Sequence, residues 1–99
     1  MSIELEDRLL ELEMGQLCIT RSVMKRVLPV EVEYALNWHR VGDWGLVCDK
    51  DKVANWHALI LGLRILSLYR ASNGTEFWII TEADRSVTTI LLPEEYRSV

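Results

Sequence analysis

No stretch of the sequence approaches the run of about eighteen apolar residues that a membrane span requires. The acidic opening, Ser-Ile-Glu-Leu-Glu-Asp, is also the opposite of the basic region that begins a secretory leader. We therefore expect a cytoplasmic protein with no membrane contact. Only two cysteines are present, Cys18 and Cys48, which are too few for a disulfide scaffold and would stay reduced in a cytosol. Both are predicted to be small core residues.

The sequence also lacks the short motifs that mark common cofactor and catalytic sites. It contains no CxxC or HxxxH pair for a zinc ion, and neither GxGxxG nor GxxxxGK[ST] for a nucleotide. Basic residues are outnumbered, since 11 Lys and Arg stand against 15 Asp and Glu, for a net charge of −4. Nucleic-acid binding depends on contacts with phosphates, so this balance argues against it. We predict no cofactor and no metal ion, and nucleic-acid binding stays an alternative that the charge disfavours.

The composition that remains is that of one small globular domain. Of the 99 residues, 49% are hydrophobic and 26% are charged, which is enough for one core but not for two. We predict a single domain over residues 1–99, in which residues 1–14 form an N-terminal helical extension. The helix itself is predicted over 3–13, where apolar residues recur near helical spacing before Gly15.

The middle of the chain predicts two helices joined by a short loop. A proline suits the first turn of a helix over 29–40, and Gly42 ends it. A second helix begins at Asp49 or Asp51, whose carboxylates can accept bonds from the free N–H groups of its first turn, and it reaches Gly62. Its predicted packing stripe is Val53, Trp56, Ile60 and Leu63.

The first of these two helices is apolar around more than half its girth. One face carries Val32, Leu36 and His39, and the next carries Val30, Tyr34, Trp38 and Val41. A helix of this composition is expected to be well covered by the rest of the protein.

From Arg64 onward the apolar period changes to two, which predicts strands. The runs RILSLYRA and TEFWIITE flank Asn73-Gly74, a pair typical of a type I′ hairpin turn, and a third run, SVTTILL, occupies 86–92. QLCIT at 16–20 predicts a further short strand, at an edge or beside the third run, followed by a helical turn to Arg26. The predicted class is α+β: a helical hairpin packed on a small antiparallel sheet. The middle strand is apolar on both faces, so either helices cover both faces or a second subunit covers one.

Residues 37–57 concentrate the groups that could form a site. The segment begins and ends with Asn-Trp-His and holds both histidines, three tryptophans and Cys48. His39, His57 and Cys48 could meet across the helical hairpin, but their spacing fits no zinc pattern. A Cys–His catalytic pair would also need an orienting residue and an oxyanion pocket, and the sequence marks neither. We predict that the tryptophans are core or interface anchors, and we assign no catalytic residue.

Two turns are better candidates for a binding surface. The loop Gly42-Asp43-Trp44-Gly45 holds a large aromatic residue where a small polar connection would be enough. Trp44 therefore either folds back over the helix ends or meets a partner. The turn at 81–85 sets acids and an arginine on a rigid hairpin, although a solvated turn is the alternative. The predicted contact surface consists of Asp43, Trp44, Asp84 and Arg85.

The last part of the chain has a distinctive sequence, WIITEADRSVTTILLPEEY at 78–96. Together with Gly42-Asp43-Trp44-Gly45 and Asn73-Gly74-Thr75, it resembles a family of small uncharacterised proteins from plasmids and other mobile or phage-derived bacterial DNA. The resemblance spans residues 15–96. Some members are labelled restriction–modification methylase subunits, but a methyltransferase needs a far longer chain and a Gly-rich cofactor turn. The resemblance implies a mobile-element origin, but no activity and no site at His57.

Two functions from different classes remain. The first is a non-enzymatic module that acts through contacts with a partner protein, with host defence as a candidate target. The alternative is a small nuclease of the RelE/ParE toxin shape, which also places helices before an antiparallel meander. Such toxins need a basic surface, and this chain offers only Arg64, Arg70 and Arg85 on or beside its strands. We therefore favour the interaction module.

Overall fold

The computed structural model describes residues 12–96, which form one sheet and four helices. The strands are β1 (Gln16–Ile19), β2 (Ile65–Arg70), β3 (Glu76–Thr81) and β4 (Val87–Leu91). The helices are α1 (Arg21–Arg26), α2 (Pro29–Arg40), α3 (Asp49–Leu61) and the short α4 (Pro93–Tyr96). None of the helices in this part of the chain combines the length and the apolar character that crossing a bilayer requires. The predicted α+β class, with two helices joined by a loop and packed on a small sheet, is confirmed.

The sheet has the strand order β1-β4-β3-β2. Strands β2, β3 and β4 form the predicted antiparallel meander, in which Ile79 lies between Ser67 and Ile90. Strand β1 lies beside the third strand of the meander, as predicted, but it pairs with that strand in parallel. The sheet is therefore mixed rather than antiparallel throughout.

The turn between β2 and β3 differs in type from the prediction. Gly74 has a φ of +88°, whereas Asn73 does not have a positive φ. Ala71 donates its N–H to the Thr75 carbonyl at 2.8 Å and accepts from the Gly74 N–H at 2.9 Å, so the loop has three residues. The Asn73 side chain accepts from the Thr75 N–H and donates to the Arg26 carbonyl. The asparagine thus fastens the hairpin to the end of α1.

Helices cover one face of the sheet more fully than the other. The main core lies between that face and α1 and α2, and its buried members are Val23, Val27, Val32, Ala35, Tyr69, Ala71, Phe77, Ile79, Ile90 and Leu92. On the opposite face, the Tyr96 ring of α4 stacks on Trp78 with 5.3 Å between ring centroids. The expectation of cover on both faces is met only in part, since α4 is a single turn.

The predicted bounds of α2 are confirmed, but its predicted cover is not. The helix buries Val32, Ala35 and His39 against the sheet. Its second apolar face is exposed, so the expectation that this helix is well covered is wrong. The reason is geometric, because a helix lying on one side of a sheet buries one stripe and turns the other to solvent.

The predicted packing stripe of α3 is also wrong. Val53, Trp56, Ile60 and Leu63 are exposed, whereas Asn55 and Ala58 are buried. This helix packs against β2, the strand at the edge of the sheet. A contact with an edge uses a small side chain and an amide that can bond the strand's backbone, rather than a broad apolar stripe.

The prediction that both cysteines belong to the core is wrong, because both are exposed. Cys18 lies on the edge strand β1. Cys48 is the N-cap of α3, and no side-chain hydrogen bond caps that helix. Asp49 and Asp51 instead lie within its first turn, where their charge favours the positive end of the helix dipole.

The helix predicted over 3–13 lies outside the described residues except for its last two. Those two, Leu12 and Glu13, are not helical. Leu12 is buried and donates its N–H to the Arg40 carbonyl at 2.7 Å. Gly15 follows with a φ of +61°, and a Cβ there would collide with the backbone of Ser86. The glycine thus permits the close approach that brings the chain into β1.

Candidate functional site

A buried histidine joins α2 to three strands of the sheet. His39 has 0% of its surface exposed. Its Nδ1 lies 2.5 Å from Ser67 Oγ on β2, and its Nε2 lies 2.8 Å from Thr81 Oγ1 on β3. Thr81 Oγ1 lies 2.7 Å from Thr88 Oγ1 on β4, and the Thr88 hydroxyl donates to the Met14 carbonyl at 2.7 Å. Four side chains and one carbonyl therefore form a continuous polar network.

The carbonyl at the end of this network sets the direction of every hydrogen bond in it. A carbonyl only accepts, so the Thr88 hydroxyl gives its one proton to Met14 and accepts from Thr81. The Thr81 hydroxyl then accepts from the Nε2–H of His39, and Nδ1 accepts from the Ser67 hydroxyl. The network therefore selects the neutral imidazole with its proton on Nε2.

Burial opposes a positive charge on this ring. Desolvation, together with the positive charge of Arg85, lowers the pKa of His39 from 6.5 to about 4. Both nitrogens are bonded to hydroxyl groups, and the ring has no exposed surface from which to reach a substrate. The role that this geometry supports is to hold α2 on the sheet in one register.

The other groups considered for a metal or catalytic site are not gathered around His39. His57 and Cys48 are exposed, the first on α3 and the second at its start. Across residues 12–96, no three His, Cys, Asp or Glu side chains lie close enough together to hold a metal ion. The two Asn-Trp-His tripeptides thus place one histidine in the core and the other at the surface.

The Gly-Asp-Trp-Gly loop folds Trp44 inward. The indole belongs to a small buried cluster that also holds Val47 and Ile65, and it meets the Trp56 ring edge-on, with 5.3 Å between centroids. Its Nε1–H has no hydrogen-bond partner among the described residues. Gly45 lets the loop backbone lie close against β2, because its φ is +71° and a Cβ there would collide with the Leu68 carbonyl. Of the two arrangements predicted for Trp44, the structure has the inward one.

The backbone of the same loop bonds the outer edge of β2. Leu68 donates to the Trp44 carbonyl at 3.2 Å and accepts from the Leu46 N–H at 2.7 Å. The Asp43 carbonyl accepts from the Tyr69 hydroxyl at 2.6 Å, and burial raises the pKa of that hydroxyl above its usual range. The Asp43 side chain remains exposed. The loop is therefore a rigid part of the sheet rather than a free connection.

Arg85 fixes the turn between β3 and β4. It is the only non-glycine residue with a positive φ, +62°, within residues 12–96. Its guanidinium donates to the carbonyls of Leu63 at 2.6 Å and Ala58 at 3.0 Å, near the C-terminal end of α3. Asp84 is exposed and accepts from the N–H and the hydroxyl of Ser86, which lowers the pKa of Asp84. Arg85 thus bonds one carbonyl in the last turn of α3 and one in the connection that follows the helix.

The four residues of the predicted contact surface differ in what they present to solvent. Trp44 is buried, and the guanidinium of the half-buried Arg85 is occupied by backbone carbonyls. Asp43 and Asp84 offer exposed carboxylates. That this set binds a partner stays a prediction, and these two carboxylates are its accessible members.

A different aromatic group is exposed on α2. Tyr34 and Trp38 are 58% and 48% exposed, and their stacked rings lie 6.3 Å apart. The Trp38 ring also contacts the buried Tyr69 ring at 5.9 Å. Trp38 and Tyr69 line two shallow grooves of about 300 and about 290 Å³, one bordered by Asp43 and the other by Glu31. We use the name α2 surface for the exposed residues Val30, Tyr34, Trp38 and Val41.

Sequence reasoning missed the α2 surface because it assigned these side chains to a covered helix. The signal was nevertheless present in their spacing. Val30, Tyr34 and Trp38 recur every four residues and form a second apolar stripe beside the one that holds His39. A helix with two apolar stripes above a single sheet leaves one of them outside.

Comparisons with known proteins do not assign the chain to a family. No family model matches it, and no curated protein or solved structure shows significant similarity to it. The resemblance to a mobile-element family therefore stays a prediction.

Proposed function

We propose that the protein is a non-enzymatic interaction module that binds a partner protein through the α2 surface. The observation that carries this proposal is a stacked pair of exposed aromatic rings, Tyr34 and Trp38, with the exposed Val30 and Val41 on either side of it. Single exposed apolar residues are ordinary, but an aligned group of this size marks an interaction site.

The aromatic pair at the centre of the α2 surface has the composition of a binding hot spot. Tryptophan and tyrosine dominate such spots because their rigid rings bury a large area at a small cost in conformational entropy. Trp38 contacts Tyr34 on one side and Tyr69 on the other. Tyr69 is fixed in turn by its bond to the Asp43 carbonyl. The Trp38 ring is therefore held in place before a partner arrives.

Charged groups border the α2 surface. Glu31, Asp43 and Arg70 line its two grooves, and Arg70 also pairs with Glu76 at 2.8 Å. An apolar centre with a polar rim is the usual arrangement of a protein–protein interface. Asp43, one member of the contact set predicted from the sequence, therefore borders the α2 surface.

The toxin alternative has less support. A nuclease of that kind needs cations directed at phosphate, but the arginines on or beside the strands have other partners. Arg64 lies 3.2 Å from Glu82, and Arg70 lies 2.8 Å from Glu76. Arg85 donates to the carbonyls of Leu63 and Ala58. We keep the interaction module as the proposal, with a mobile-element origin and a host-defence target as its suggested setting.

A pull-down from a bacterial lysate tests this function. The natural chain is compared with a Tyr34→Ala/Trp38→Ala variant and with a Val53→Ala/Ile60→Ala control, which removes exposed side chains from α3 instead. Thermal melting first establishes that each variant is folded. We expect the partner to be lost only from the α2 variant. A folded α2 variant that keeps every partner of the natural chain would overturn the proposal.

Two further experiments test the contact set predicted from the sequence and the toxin alternative. An Asp43→Ala/Asp84→Ala variant tests the contact set predicted from the sequence, and it should weaken binding less than the aromatic variant does. A ribosome-dependent RNA cleavage assay at low salt tests the toxin alternative. Cleavage by the natural chain in that assay would favour the nuclease over the interaction module.

A further inference from the structure

The two edge strands of the sheet differ in whether their outward backbone groups are hydrogen-bonded. At the β2 edge, the Asn55 carboxamide accepts from the Leu66 N–H at 3.2 Å and donates to the Leu66 carbonyl at 2.7 Å. The next outward-facing residue of that strand, Leu68, is bonded by the backbone of Trp44 and Leu46. At the other edge, β1 pairs with β4 on one side and with no strand of residues 12–96 on the other. Within the described part of the chain, one edge is therefore closed and the other is open.

The open edge presents the backbone of Leu17 and Ile19. The N–H groups of Gln16 and Thr20 bond carbonyls of the β4 segment at 2.9 and 3.1 Å, so these residues direct their backbone toward the sheet. The direction alternates from one residue of a strand to the next. The N–H and C=O groups of Leu17 and Ile19 therefore point away from β4, toward the open side.

Apart from its short length of four residues, β1 carries none of the sequence features that keep edge strands from pairing. Natural edge strands commonly carry a lysine, a proline, an inward-pointing charge or a bulge. The strand QLCI has no charged residue and no proline, and its register with β4 is unbroken over all four residues. It is a regular, neutral edge whose outward hydrogen-bonding groups have no partner among the described residues.

The side chains of the same two residues are apolar and partly uncovered. Leu17 and Ile19 are 46% and 41% exposed, and they lie on the face of the sheet that holds α1 and α2. Ile19 lines an apolar groove of about 360 Å³, together with Met24 of α1 and Leu36 of α2. A strand added beside β1 would place every second side chain over this groove.

We propose that β1 pairs in antiparallel fashion with β1 of a second copy of the chain, about a twofold axis at Cys18. In this arrangement Leu17 lies opposite Ile19 of the second copy, and the two such pairs exchange four backbone hydrogen bonds. The Leu17 side chain of each copy lies over the groove beside Ile19 of the other. The two four-stranded sheets become one sheet of eight strands.

A second copy fits this edge because the edge is self-complementary. Its two outward-facing residues lie symmetrically on either side of Cys18, as a twofold contact requires. The strand is neutral, so no like charges oppose each other across the pair. The contact is smaller than the roughly 1,200 Å² of standard interfaces, so we expect a weak dimer with a Kd of about 1 μM or more. This surface is separate from the α2 surface, and the inference does not depend on the proposed function.

The twofold arrangement makes a specific disulfide possible. Cys18 of each copy would occupy a non-hydrogen-bonded position opposite the other, with Cα atoms about 4.5 Å apart, which is within the range of disulfides. Oxidised glutathione, which takes up the two electrons and two protons released, should convert a concentrated sample into a covalent dimer. The Cys48→Ser variant should still form it, and Cys18→Ser should not. A covalent dimer that requires Cys48, or none in the natural chain, would overturn the proposal.

A second measurement is independent of cysteine chemistry. Sedimentation velocity in reducing buffer, over a concentration series from about 10 μM to about 1 mM, should show a reversible dimer of the natural chain. Leu17→Lys places a charge at the paired edge and should raise the Kd about tenfold or more. Ile60→Lys, at an 80% exposed position on α3, is the matched control and should leave the Kd unchanged. A natural chain that stays monomeric throughout, or a Leu17→Lys chain that dimerises equally well, would contradict the proposal.

Discussion

His39 and Thr81 stand 42 positions apart in the sequence, yet the imidazole Nε2 of the first lies 2.8 Å from the hydroxyl oxygen of the second. The bond joins α2 to the middle strand of the meander, and the network around it requires a neutral ring. A proton added at Nδ1 would make both ring nitrogens donors, and Ser67 would have to direct its own proton elsewhere. The charged ring is therefore opposed by the bonding pattern as well as by burial.

Stability is expected to fall at mildly acidic pH because of His39. Its pKa is lowered from 6.5 to about 4 in the folded protein, so the unfolded chain takes up the proton first as the pH falls. The stability that the neutral His39 ring gives the folded protein is fully present above pH 6.5. It is lost as the pH falls from 6.5 to about 4. The free energy of unfolding should drop by about 3 kcal/mol over that range, as measured by urea unfolding.

A His39→Gln variant provides the comparison for this pH effect. It removes the titrating ring, so the difference between the two pH profiles isolates the ring from the carboxylates that titrate nearby. His57→Gln changes the exposed histidine and should keep the profile of the natural chain. If His39→Gln and the natural chain lose stability in parallel between pH 6.5 and about 4, His39 is not the source of the effect.

Asn55→Ala is expected to lower the free energy of unfolding by about 2–3 kcal/mol. The substitution removes both hydrogen bonds to the Leu66 backbone and leaves a donor and an acceptor unpaired beside the helix. Lys52→Ala, at an exposed position of the same helix, is the control and should change stability by no more than about 0.5 kcal/mol. Chemical denaturation measures both. Equal stabilities would show that the Asn55 bonds are dispensable.

Arg85→Ala and Arg85→Gly separate two contributions of one residue. Both variants lose the bonds to the Leu63 and Ala58 carbonyls, but glycine tolerates the φ of +62° without strain. We expect Arg85→Ala to lose about 2–3 kcal/mol and Arg85→Gly about 1 kcal/mol less. The order of their denaturation midpoints is the test. If alanine were as stable as glycine, the turn would hold no backbone strain.

Trp44→Phe is expected to change the free energy of unfolding by no more than about 1 kcal/mol. The smaller ring leaves a cavity, but it also removes a buried N–H that has no partner among the described residues, and the two effects oppose each other. Trp44→Ala removes the whole ring and should lose about 3–5 kcal/mol. Thermal or urea unfolding of the pair checks this. A phenylalanine variant as unstable as the alanine variant would mean that the indole N–H is bonded in the protein.

The bounds of the helices and the hairpin could be predicted because their signals are local. Pro29 begins α2 through its fixed φ, and Gly42 follows its end. The change of apolar period at Arg64 and the Asn73-Gly74 pair locate β2, β3 and the turn between them, although not the type of turn. Each of these signals acts over a few residues and does not depend on what the segment packs against.

The packing faces could not be predicted in the same way, because they depend on where each helix meets the sheet. Apolar periodicity selects Val53 and Ile60 in α3, but a helix at the edge of β2 is held by Asn55 and Ala58. The network of His39 likewise exists only once the register of three strands is set. The α2 surface could not be predicted for the same reason. The spacing of Tyr34 and Trp38 indicates an apolar stripe, but it does not show that the stripe faces solvent.

The pairing of β1 with β4 joins residues 16–19 to residues that begin about seventy positions later, the widest separation in the sheet. Chains grow at about 5–20 residues per second, so β1 leaves the ribosome roughly 4–14 seconds before the strand that pairs with it. Closing so long a loop is also slow compared with forming the β2–β3 hairpin. Throughout that interval neither side of this neutral strand is paired with another strand of residues 12–96. The chain is therefore most open to chaperones, and to misassembly with neighbouring nascent chains, during its own synthesis.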